Sequence, residues 1–122
     1  MTPELPSGRR VAPSILSADF AHLGDQVATV MDAGARVIHV DVMDGHFVPP
    51  ISIGDLIVKA LRDQVHEAGG LLDVHLMVER PERRIETFAE AGATLFVAGS
   101  SIFGKPDPAV AYREIAAAAG AE

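Results

Sequence analysis

The sequence contains no cysteine. That excludes a disulfide framework and thiolate chemistry, and it fits a reducing cytoplasm. No apolar run approaches the ~20 residues that a membrane-spanning helix requires. The opening Met1 to Arg10 has no hydrophobic stretch ahead of its basic pair, so residues 1–10 read as a loose N-terminal tail and not as a signal peptide. Basic residues are scarce as well: 10 Lys and Arg stand against 17 Asp and Glu, giving a formal charge of −7. Arg9-Arg10 and Arg83-Arg84 are too small to act as basic patches, which argues against a nucleic-acid partner. Acidity does not exclude a small phosphorylated substrate, which a few backbone N–H groups can hold. Aromatic residues make up only 5% of a chain that is 48% hydrophobic. This Val/Ile/Leu/Ala/Gly balance belongs to an α/β protein, and 122 residues give room for one domain with its own core.

Against that background, Val37-Ile38-His39-Val40-Asp41-Val42-Met43-Asp44-Gly45 is the most informative stretch. It reads as a strand that breaks at Asp-Gly into a loop. Side chains alternate along a strand, so His39, Asp41 and Met43 share one face while Ile38, Val40 and Val42 share the other. A strand covered on both faces should be apolar throughout. An imidazole and a carboxylate there need compensation, and a metal ion is a common partner. Leu72-Asp73-Val74-His75-Leu76-Met77-Val78 repeats the pattern, with Asp73, His75 and Met77 on one face. His39, Asp41 and His75 thus form two nitrogens and a carboxylate suited to divalent zinc, iron, manganese or cobalt. The competing reading is two core histidines satisfied by backbone carbonyls or by Asp73.

Strand and helix patterns alternate along the rest of the chain. Val11 to Leu16 is expected as a strand, followed by a helix opened by Ser17 and Asp19 that runs to about Ala33 and stops at Gly34. After the His39 strand comes a Gly/Pro-rich loop to Gly54, then a helix from about Asp55 to Glu67 ending at Gly69-Gly70. The His75 strand follows, then a helix opened by Pro81 and ended near Gly92. Thr94 to Ala98 is expected as a fourth strand, Gly99-Ser100-Ser101 as a loop, and Asp107 to Ala119 as a final helix that Pro108 can open. Asp32 to Ile38 and Glu90 to Phe96 share one layout: helix end, glycine cap, strand start. Four successive βα units imply a parallel sheet of the kind that builds (β/α) barrels.

These segments closely resemble the ribulose-phosphate 3-epimerase family, whose members are (β/α)8-barrel isomerases. Ala12 to Phe20 resembles the family's first strand, His39 to Pro49 its second strand and loop, and Asp73 to Val78 its third strand. Val97 to Phe103 resembles its eighth strand and phosphate loop. The resemblance implies that His39, Asp41 and His75 bind the divalent metal, with Asp41 doubling as an acid/base carboxylate. It also implies that Ser14 lies beside the substrate's hydroxyls, that Met43 and Met77 line the reacting centre, and that Gly99 and Ser100 hold the substrate phosphate. Core packing is an equally ordinary role for a methionine on a buried strand. The implied reaction interconverts D-ribulose 5-phosphate and D-xylulose 5-phosphate, removing a proton beside a ketone and returning one from the other side.

The resemblance passes directly from the third helix, Phe88 to Ala93, to the eighth strand. Counterparts of strands four to seven are missing, and with them the fourth metal ligand that serves as the second catalytic aspartate. A complete barrel takes ~250 residues. The fold expectation is therefore about half of a (β/α)8 barrel over residues 11–122, with open edges that favour a homo-oligomer. The fourth strand has two places open to it, beside the third or back beside the first. Asp73 lies too near the start of its strand to replace the lost ligand, while Asp44 and His46 lie in the loop and could approach the site. Pro50 stands where the family usually shows asparagine, which stiffens that loop. Two other functions remain open: a catalytically impaired remnant that binds metal or dimerises, and a sister epimerase acting on a six-carbon ketose phosphate.

Overall fold

Runs rich in Val, Ile and Leu alternate with amphipathic helices, and glycine stops separate them. The computed structural model describes residues 5–121, so the first four residues of the expected tail lie outside the described residues. Three strands form one parallel sheet in the order β1-β2-β3: β1 Val37–Met43, β2 Leu71–Met77 and β3 Ala93–Val97. The helices are α1 Leu23–Asp32, α2 Asp55–Glu67, α3 Ile85–Ala91, α4 Ser100–Phe103 and α5 Pro108–Ala118. Gly92 closes α3 at φ 125°, where a Cβ would lie 2.6 Å from the Arg62 side chain. Only glycine suits both the dihedral and the space.

One face of the sheet holds the core. Ile38, Val40 and Val74 are fully buried there against α1, α2 and α3, alongside Val58, Val65 and Ile85. Each such side chain contributes about 1.5–3 kcal/mol through removal from water. The opposite face carries His39, Asp41, Met43, His75 and Met77, none of them fully buried. On β3 the same face presents Leu95 and Val97, the register partners of Asp73 and His75, at 37% and 38% exposure. The sheet is thus dry on its helix side and open on its polar side.

The expected α/β architecture of parallel barrel-type units is present, with local corrections. Val11 to Leu16 is not a full strand. Ser14 makes a single parallel bridge to His39, the His39 N–H donates to the Pro13 carbonyl at 2.9 Å, and the chain then turns into a 3-10 helix at Ile15–Ser17. Pro13 has no N–H to give a ladder, and the Ser14 hydroxyl accepts the Leu16 N–H, favouring the turn over extension. The first helix begins later than expected, because Asp19 caps a 3-10 turn at Phe20–His22 before α1. Likewise a 3-10 turn at Pro81–Arg83 precedes α3. Of Gly99-Ser100-Ser101, expected as a loop, Gly99 caps the short α4 and Ser100 and Ser101 form its first residues. The last expected strand, β3, pairs with β2 and not with β1. A connection through the short α3 favours that neighbouring position.

Candidate metal centre

The parallel register sets His39 beside Asp73 and Asp41 beside His75. Register partners project to the same face, so four polar side chains meet on the open side of the sheet. Asp41 is the hub. Its Oδ2 accepts the Ser14 hydroxyl at 2.7 Å, while Oδ1 lies 3.1 Å from His39 Nε2 and 3.5 Å from His75 Nδ1. On the far side of His39, Nδ1 lies 2.8 Å from Asp73 Oδ2.

Both ring nitrogens of His39 therefore face carboxylates, which have no proton to offer at neutral pH. Burial disfavours the charged imidazole, but the Asp73 hydrogen bond and the charges of Asp41 and Asp73 outweigh it and raise the His39 pKa. The pocket calls for positive charge. A divalent cation meets the same demand: one donor atom from each of His39, Asp41 and His75 lies within 4.8 Å of the other two. Donors on a shared tetrahedral ion with ~2.1 Å bonds are about 3.4 Å apart, close to the spacings around Asp41. The donor set fits the expected metal.

Met43 and Met77 are register partners one step further toward the C-terminal end, so they adjoin this cluster. Ser14, His39, Asp41, Met43, His75 and Met77 are thus brought together on one face of the sheet. Gly99 and Ser100 are set apart, because they follow β3 and β2 separates β3 from β1. Ser100 instead lines a cleft of about 800 Å³ with Phe47, Arg80, Lys105 and Val110.

Two further residues shape the site. The Ser52 hydroxyl donates to the Asp41 carbonyl at 2.7 Å and accepts the Met43 N–H at 2.8 Å, tying the returning loop to the end of β1. Nothing in its Pro-Pro-Ile-Ser surroundings signals that role. Asp44 does not join the metal donors. Its Oδ1 accepts the His46 and Phe47 N–H groups, and its Oδ2 accepts the Glu79 N–H at 2.9 Å. One carboxylate thereby joins the loops after β1 and β2. The Asp-Gly pair was a legible turn signal, since Asp accepts from backbone two residues on. Gly45 completes it at φ 76°, with Ile51 only 2.7 Å from the position of a Cβ.

Comparison with known proteins decides the family. The chain matches the ribulose-phosphate 3 epimerase family over residues 10–103. The chain belongs to that family. It is 58% identical to ribulose-phosphate 3-epimerase of Bacillus subtilis over 86 residues, covering 70% of this chain and 38% of that protein. Over 85 residues it is 58% identical to the Synechocystis enzyme of the same name, covering 70% of this chain and 36% of that one. The Escherichia coli K12 enzyme is 51% identical over 85 residues, covering 70% and 37%. The chain thus spans well under half the length of these relatives. Every residue assigned to the site lies inside the segment matched to the ribulose-phosphate 3 epimerase family. No helix among the described residues is long and apolar enough to cross a membrane.

The loop join at Asp44 yields a test. Its backbone donors, the Glu79 N–H foremost, hold its pKa at about 2, below the ordinary carboxylate value. A depressed folded pKa stabilises the fold above the unfolded value, and that contribution is lost as pH falls through the folded one. Asp44→Asn, whose NH2 cannot accept the Glu79 N–H, should therefore lower the thermal midpoint at neutral pH. The gap to the parent chain should close as pH falls from about 4 toward about 2. Melting curves across that range check it, and a constant gap would contradict the assignment.

Proposed function

We propose that this chain carries the metal-holding and base-bearing part of a ribulose-phosphate 3-epimerase, interconverting D-ribulose 5-phosphate and D-xylulose 5-phosphate. The observation that carries the reading is Asp41, a carboxylate held between two imidazoles at the open end of adjacent parallel strands. His39, Asp41 and His75 would hold a divalent metal of the zinc, iron, manganese or cobalt group. When bound, the metal polarises the substrate carbonyl and stabilises the enediolate.

The chain's own residues supply the rest. Asp41 takes the proton from its own face of the carbon beside the ketone, and in the reverse direction delivers one there; inversion requires an acid on the opposite face to supply the other proton. Ser14 fixes the orientation of that carboxylate through its hydroxyl, and Ser52 fixes the backbone that carries it. Met43 and Met77 give the reacting carbon an apolar, adaptable wall. Gly99 and Ser100 are assigned to the substrate phosphate. The cytoplasm is the compartment we assign, in keeping with a cysteine-free sequence.

A second reading draws support from the strand order. With β3 beside β2, Gly99 and Ser100 do not flank β1, and among the described residues Asp41 is the sole carboxylate of the candidate donor group. A module that binds metal or self-associates, with inversion impaired, fits that arrangement. The outer edge of β3, unpaired among the described residues, and the exposed Leu95 and Val97 support self-association in either case.

A coupled assay on the metal-supplemented chain with D-ribulose 5-phosphate separates the readings. Epimerase activity that Asp41→Asn abolishes supports the first, and activity indistinguishable from Asp41→Asn refutes it. Light scattering should show a dimer or larger species, and a dispersed monomer would refute self-association.

A further inference from the structure

Asp73 is the most deeply buried charged side chain at the centre, and the function above gives it no role. It is 7% exposed, lies on the dry half of its strand, and has one side-chain partner, His39 Nδ1 at 2.8 Å. Its other oxygen, Oδ1, is buried with no hydrogen-bond partner among the described residues. A carboxylate left so poorly satisfied is costly unless its single contact matters. Leu71, two residues earlier on the same face, is fully buried and the register partner on β3 is Leu95, so an apolar side chain would suit position 73 if packing were its only task.

His39 is the group that this contact constrains. A neutral imidazole carries one proton, and two carboxylates compete for it. Asp73 approaches more closely, at 2.8 Å against 3.1 Å for Asp41, and it is the drier of the two, with 10% of its side chain exposed against 16%. A shorter, less solvated contact to an anion is the stronger one. The proton therefore belongs on Nδ1, and the lone pair belongs on Nε2, the nitrogen that faces Asp41.

We propose that Asp73 is a positioning residue that fixes the His39 tautomer and ring orientation, so that Nε2 is presented as a metal ligand. Hydrogen bonding from the remote ring nitrogen of a ligand histidine to a carboxylate raises the ligand's basicity and holds its plane. The inference rests on the metal-centre reading given above, but its primary readout needs no metal.

Imidazole nitrogen NMR of the metal-free chain, in alkaline solution where the rings are neutral, tests it directly. The parent chain should show His39 protonated on Nδ1. Asp73→Leu, which removes the acceptor, should move His39 toward the Nε2-protonated form that an unconstrained histidine side chain prefers. Asp73→Asn keeps an acceptor oxygen and should retain the Nδ1 proton. Calorimetric titration with Mn²⁺ or Zn²⁺ should then show binding weakened about 10–100-fold by Asp73→Leu and less by Asp73→Asn.

An Nε2-protonated His39 in the parent chain overturns the proposal, even if Asp73→Leu fails to fold. So does an unchanged tautomer in a folded Asp73→Leu. Failure of the parent chain to bind metal would sink the metal-centre reading, and the tautomer would still decide the role of Asp73.

Discussion

The whole site depends on the in-register parallel pairing of β1 with β2. That pairing sets His39 against Asp73 and Asp41 against His75. A slip of one residue would send these groups into the helix-covered core and bring Ile38, Val40 and Val42 to the open face. The register is protected from both sides. Ile38, Val40 and Val74 are buried to completion beneath the helices, and Asp44 and Ser52 fasten the loops at the end where the polar groups gather. Hydrophobic packing thus chooses the face, and a few hydrogen bonds fix the position along the strand.

The same sheet explains why family membership and catalytic competence are separate matters. In a closed barrel the inward face is filled by side chains from every strand. Here the polar face is bounded by β1, β2 and β3 alone, and Leu95 and Val97 remain partly exposed beside the cluster. Asp41, Ser14 and both histidines are assembled by local contacts between neighbouring strands, so they need little of the barrel. Gly99 and Ser100 depend on where β3 is placed, and β3 lies on the far side of β2 from Asp41. The candidate metal cluster is locally encoded, whereas the position of Gly99 and Ser100 relative to it is globally encoded.

That division also governs what could be read from the residues. The alternation His39-Val40-Asp41 and Asp73-Val74-His75 dictates shared faces whatever the surrounding fold, so the donor trio was legible. Helix stops at Gly34, Gly69 and Gly92 were legible for the same reason, because the backbone conformation is local. Val11 to Leu16 misled because apolar content was read as a strand, while Pro13 and the Ser14 cap favoured a turn. The partner of β3 could not be read at all, since two placements satisfied the same sequence. From the sequence Asp73 reads as a partner for core histidines and lies too near the start of its strand to be a ligand; its contact with His39 is what the register adds.

The most direct test of the metal centre uses the chain's 5 histidines as internal controls. Trace Mn²⁺ is titrated into the metal-free chain while the imidazole proton resonances are followed, since a bound paramagnetic ion broadens only nearby rings. The account predicts that His39 and His75 broaden first and together, with His22, His46 and His66 sharp until the site is filled. Broadening spread evenly over the 5 rings, or concentrated on an exposed ring such as His22, would contradict it.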